Sequence, residues 1–150
     1  MAGTAISAAK IAIFDGITTA LAADGDTDTV KVFYSEPLDR GVKEYVYLGS
    51  LTLGDEEPVT LRAGRRKRQE EFVTRVVVVT SGSGRSTVQA IEQRATVIGQ
   101  VIEEYIADNT SLGNSVDWVI VTGLELDNLM TPDGPISALQ YDLTVRKRLL

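Results

Sequence analysis

The chain has 150 residues, enough for one domain with a sizeable core. Hydrophobic residues make up 43% and charged residues 24%, a globular composition that excludes disorder; cysteine and histidine are absent, which removes disulfides, thiolate chemistry, the commonest general base and the commonest zinc ligand. The net charge of -6 favours solubility and speaks against a chain that coats nucleic acid.

The first pattern is helical. Ile6, Ala9, Ile13, Ile17 and Leu21 recur at steps of three and four, with Phe14 beside them and Thr4 placed to cap. Lys10 and Asp15 interrupt the apolar run, no basic n-region precedes it, and no stretch reaches the ~18 apolar residues of a membrane span. Synthesis in the cytoplasm and no membrane partner are the expectation. Ala23 to Asp26 ends the helix. Asp24, Asp26 and Asp28 have the spacing of a calcium loop, but Ser35 stands where its bidentate Glu belongs, so a solvated turn is expected and no metal site.

Thr29–Tyr34 alternates, with Val30, Val32 and Tyr34 on one face, and predicts a strand. A turn over Glu36–Gly41 leads to a second strand, Lys43–Leu48, with Tyr45 and Tyr47 opposite Val46 and Leu48. Shorter strands are expected at Ser50–Leu53 and Val59–Arg62, with Pro58 at an edge or a strand start. Arg62, Arg65, Arg66, Lys67 and Arg68 then form a dense basic run, followed by Glu70 and Glu71. A mobile charged loop over about 62–71 is expected, either as a hairpin tip kept in water or as a partner contact. No aromatic residue is interleaved to stack on bases.

Phe72–Thr80 holds four consecutive valines, Val76 to Val79, and predicts a central strand buried on both faces. The Gly82-Ser83-Gly84-Arg85 loop after it invites a phosphate reading, since it precedes a helix. Its motifs fail: no Gly-Lys pair stands before a Ser or Thr, and Thr87 occupies the third glycine of GxGxxG. Ser86 and Gln89 in capping-box spacing account for the loop without a ligand. The helix Ser86–Ile106 carries Val88, Ile91, Ala95, Ile98, Ile102 and Tyr105 along one stripe. Val97 and Val101 widen it and are subunit-interface candidates. Asp108-Asn109 with Gly113 stops it.

Val116–Gly123 predicts another strand, Leu124–Leu129 is ambiguous, and Met130–Pro135 is a turn. Ser137–Arg148 alternates Leu139, Tyr141, Leu143 and Val145 with polar residues, a half-buried final strand. It runs into Arg146, Lys147 and Arg148, further subunit-interface candidates. Together the elements predict a single α+β domain over 1–150: a mainly antiparallel mixed sheet with two helices packed on one face. The other face, bearing Tyr, Thr and charged residues, must be solvated or covered by a neighbour.

This organisation resembles the tail terminator (tail completion) proteins of long-tailed bacteriophages, the family of the lambda gpU protein. The likeness spans most of the chain. It is carried by chain length, the N-terminal helix before a run of strands, the charged loop Arg62–Glu71, the Phe72–Thr80 strand with its following helix, and the closing phrase from Ser137 to Val145. The resemblance implies a structural virion protein rather than an enzyme, with no catalytic residue and no cofactor. It implies a homohexameric ring at the head-proximal end of the tail, made in the host cytoplasm. That ring caps the tail tube, stops its polymerisation and meets the head–tail connector while DNA passes through the lumen without sequence readout. Arg62, Arg65, Arg66, Lys67, Arg68, Glu70 and Glu71 are the partner-interface candidates. Another neck or tube component is the alternative; a nucleotide-binding module or enzyme using residues 82–87 stands behind both.

Overall fold

The computed structural model describes residues 6–37, 43–53, 57–58, 68–113 and 116–149. Helix α1 (Ile6–Ala23) is followed by β1 (Lys31–Phe33), β2 (Glu44–Leu53), β3 (Glu57–Pro58) and β4 (Arg68–Ser81). Helix α2 (Val88–Asp108) then leads to β5 (Trp118–Thr131) and β6 (Gly134–Leu149). The strands make one six-stranded sheet in the order β1-β2-β4-β6-β5, with β3 pairing separately to β4. Every pair is antiparallel except β1 with β2.

The protein is therefore α+β, with both helices on one face of a mixed, mostly antiparallel sheet. The stripes fix this. Ala9, Ile13, Ile17 and Leu21 of α1 and Ala95, Ile98, Ile102 and Ile106 of α2 share one core. The sheet supplies Val46 and Leu48, Phe72, Val76 and Val78, and Leu139 to Val145 at every second residue. Period 3.6 meets period two across a single apolar layer. Each large side chain buried there contributes about 1.5–3 kcal/mol. β4 lies between β2 and β6, so all four valines are buried, as a central strand requires.

Several boundaries differ from the sequence expectation. The first strand shrinks to Lys31–Phe33 and pairs parallel to β2. Parallel pairing across a short connection is possible because so little strand has to be retraced. The two predicted strands Lys43–Leu48 and Ser50–Leu53 are one, β2, joined through an irregularity between Leu48 and Leu51. Val59–Arg62 and the Thr4 cap lie outside the described residues. Of the charged loop expected over 62–71, residues 62–67 lie outside the described residues, and Arg68 to Glu71 belong to β4 and pair with Arg146 to Leu149 of β6. The ambiguous Leu124–Leu129 stretch is strand throughout: β5 continues through a bulge between Val121 and Gly123.

Two caps also move. Thr87, not Ser86, caps α2, its hydroxyl accepting from the Ala90 N–H at 3.2 Å. Ser86 instead holds the loop, accepting from the Ser83 N–H at 3.0 Å. The turn expected over Met130–Pro135 narrows to Pro132-Asp133, with strand on either side. Gly134 makes this possible. Its φ of 133° is open to glycine, and a Cβ there would stand 2.5 Å from the Gly82 carbonyl oxygen.

Candidate functional site

Of the basic run, Arg62, Arg65, Arg66 and Lys67 lie outside the described residues. The remaining charged candidates, thought of as two separate surfaces, come together on adjacent strands. Glu71 stands opposite Arg146, Glu70 opposite Lys147, and Gln69 opposite Arg148. The Arg146 guanidinium donates to Glu71 at 2.8 Å and lies 4.8 Å from the Trp118 ring. The β4–β6 register thus pairs Arg146 with a carboxylate that lies far from it in sequence. A half-exposed pair of this kind contributes at most about 1 kcal/mol.

The two valines also separate. Val97 is exposed on α2, whereas Val101 packs against the core, so only Val97 widens a free surface.

A longer surface escaped the sequence. β5 is the last strand of the sheet, and among the described residues no strand pairs with its outer edge. One outward group is taken, the Val119 N–H, which donates to the Thr110 carbonyl at 2.8 Å. Past the bulge, Leu124 and Leu126 stand on the helix side beside Tyr141 and Leu139, while Glu125 and Asp127 stand on the open side. α2 lies over β4, β6 and part of β5, where Glu92 accepts from Asn128 at 3.0 Å. Leu124 is 61% exposed and Met130 64% on the helix side, and Leu129, opposite Ile136 on the open face, is 63% exposed. Ile120, Val121 and Leu126 are exposed as well. Exposed apolar side chains on both faces of an open strand edge mark an interaction surface. The strict alternation Leu124-Glu125-Leu126-Asp127 was its signal in the sequence.

The open face of the sheet has its own small apolar cluster. Tyr45, Val77 and Val79 are buried under Phe33, Tyr47, Ile136 and Ala138. Tyr45 and Tyr47 stack at 6.2 Å, and Phe33 meets Tyr45 edge-on at 6.0 Å. The tyrosines thus pack as sheet residues. Below them Arg75 pairs with Asp142 at 3.2 Å. A cavity of about 470 Å³ between these groups is lined by Lys10, Glu36, Tyr47, Arg75 and Gln140.

The loop after β4 is occupied by its own bonds. The Gly82 N–H donates to the Pro135 carbonyl at 2.9 Å, and the Ser86 N–H to the Ser83 carbonyl at 3.0 Å. The Ser83 N–H goes to the Ser86 hydroxyl and the Arg85 N–H to the Ser83 hydroxyl. An anion cradle needs such donors unengaged. The Asp24 carboxylate likewise accepts from the Asp26 N–H at 2.8 Å, a turn closed locally.

Two tyrosines titrate abnormally. Burial pushes the Tyr141 phenol well above its ordinary value, and the nearby Glu103 carboxylate, to which it hydrogen-bonds, adds to this. Tyr105 is raised by burial and then by Asp15. Both phenols are packing groups between helix and sheet or helix and helix, without a reactive neighbour. Among the described residues no helix is long and apolar enough to cross a membrane.

No protein family matches the chain, and no curated protein does. Solved structures give 29 matching chains. One of them is described as "Virion of native gene transfer agent (GTA) particle". It is similar over 88% of this chain and 91% of that one, with a TM-score of 0.41 and 15% sequence identity.

Proposed function

We propose that this chain is a structural, non-enzymatic subunit of a phage-like virion, and within it the tail terminator. The observation that carries the reading is the open β5 edge with Leu124, Leu129 and Met130 mostly exposed. A fold that finishes its core on one face and leaves such side chains on one edge is built to be completed by other chains. The resemblance carried by element order and the closing strand supplies the kind of assembly: a closed ring on the tail tube. Its acidic net charge suits a lumen through which DNA slides without adhering. The basic residues Arg62 to Arg68 are then the contact with tube or connector.

The test is the mass of the purified protein, alone and with tail tube protein, by light scattering and native mass spectrometry. A hexamer-sized ring that stops tube growth is expected. A stable monomer that forms no ring even with tube protein removes the reading. Open tubes formed by the chain alone make it a tube component instead. Thermal stabilisation by ATP or GTP would revive nucleotide binding at residues 82–87. Replacing Arg65, Arg66, Lys67 and Arg68 by Ser is expected to leave folding intact and block tail joining in an assembly assay; normal joining would remove those residues from the function.

A further inference from the structure

The two edges of the sheet carry different charged side chains on the open face. On the open face one row runs Lys31, Tyr45, Val79, Ala138, Asp127 from β1 across to β5. The next runs Phe33, Tyr47, Val77, Gln140, Glu125. Lys43, just before β2, adds a second exposed cation on the β1 side. The β1 side thus carries Lys31 and Lys43, with the Glu36 carboxylate beside Tyr45 and Tyr47, while the β5 end of these rows carries only carboxylates, with an apolar middle between them.

On the helix side the edges are matched too. β5 offers Leu124 and Leu126, both exposed. The β1 edge offers Tyr34, 40% exposed, set edge-on against Phe14 at 5.5 Å with the Lys10 ammonium 4.1 Å from its ring. Apolar meets aromatic on one side of the sheet, acid meets base on the other.

Deepening the ring reading above, on which it rests, we infer that the β5 edge of one copy docks head-to-tail on the β1 edge of the next. The occupant of the β5 edge is a second copy of this chain. The edges lie on opposite sides of a sheet about 19 Å across its strand spacings, so one chain cannot satisfy both within itself. A two-fold contact of β5 with β5 sets Glu125 and Asp127 against their own copies, and β1 with β1 does the same to Lys31; like charges placed opposite destabilise a strand pair. A contact between two different surfaces is heterologous, and it closes into a ring when the rotation allows. The electrostatic half sets register and direction, and Leu124 and Leu126 provide the burial.

Charge exchange tests this. Glu125→Lys with Asp127→Lys gives a chain basic at both edges; Lys31→Glu with Lys43→Glu gives one acidic at both. All four side chains are exposed, so circular dichroism and melting of each variant are expected to match wild type. Each double variant alone is expected to need at least about 100-fold more protein to assemble, read by light scattering. Mixed one to one, the two restore rings of alternating composition, seen by native mass spectrometry. The chain with all four exchanges restores rings by itself. Wild-type rings with unaffected double variants overturn the edge assignment and leave the ring reading standing. A mixture that stops at heterodimers shows a two-fold contact and overturns the assignment as well. A wild type that stays monomeric at every concentration overturns both.

Discussion

Gly99→Ala isolates the closest approach of α2 to the sheet. An added Cβ would stand 2.3 Å from the Tyr141 hydroxyl oxygen and 2.6 Å from a Leu139 methyl. Carbon contacts settle near ~3.5–4.0 Å, so the helix must lift by about 1 Å or both neighbours must turn. Neither can turn into water, since Tyr141 and Leu139 are buried. Overpacking of this kind costs about 2–3 kcal/mol. Replacing a mid-helix glycine by alanine returns about 1 kcal/mol of propensity. The net loss is about 1–2 kcal/mol, or a melting temperature lower by about 2–8 °C for a domain of this size. Gly16→Ala is the matched control. It gives the same propensity gain, and its Cβ meets the Tyr105 hydroxyl oxygen at 1.8 Å, but that side chain is half-buried and its free end can swing outward. Thermal and urea unfolding at fixed protein concentration compare the two. A Gly99→Ala protein as stable as wild type, or more stable than Gly16→Ala, refutes the packing account.

Thr74 is buried in β4 on the helix side, and its hydroxyl has no hydrogen-bond partner. Thr74→Val keeps the shape and removes that unsatisfied group, so a gain of about 1 kcal/mol in urea unfolding is expected; a loss would show that the hydroxyl is bonded in solution. The raised Tyr141 phenol links stability to alkaline pH. Because the folded pKa lies above the unfolded value near 10, its contribution is complete below about pH 10 and is lost as pH rises toward the folded pKa, by about 1.4 kcal/mol per pH unit. Tyr141→Phe is expected to start lower, having lost the Glu103 bond, and to decline less steeply above pH 10. Parallel curves from pH 9 to 11.5 would contradict this.

Much of the fold was legible because it is written in local periodicity. The stripe Ala9, Ile13, Ile17, Leu21 and the alternation Leu139 to Val145 each name one buried face, and the structure buries those faces. Four consecutive valines have no polar side to offer, so β4 could only be central. The short loop Gly82 to Ser86 was legible in its outcome and not in its cap, since Ser86 and Thr87 are equally competent by type. Which one caps depends on where Ser83 and Pro135 hold the backbone.

The candidate surfaces were legible only in part. Arg146 and Glu71 lie 75 positions apart, and no local pattern tells that strand pairing sets them side by side. Val97 and Val101 look alike on a helical wheel, but the core reaches one of them and stops short of the other. Leu124 and Leu126 have the alternation of a strand half-buried in a core. Their exposure follows from β5 being last in the sheet, at the rim of what α2 covers.

By itself the sequence determined the fold class, the buried face of each helix and of most strands, and the absence of histidine and cysteine chemistry. These follow from side-chain spacing along one chain, and hydrophobic burial reads that spacing directly. Tertiary structure decided the order of the strands, the parallel β1–β2 pair, and the placement of Lys31 and Lys43 at one side of the sheet and Glu125 and Asp127 at the other. Those depend on which distant segments share hydrogen bonds, and therefore on where the sheet ends and what is left uncovered there.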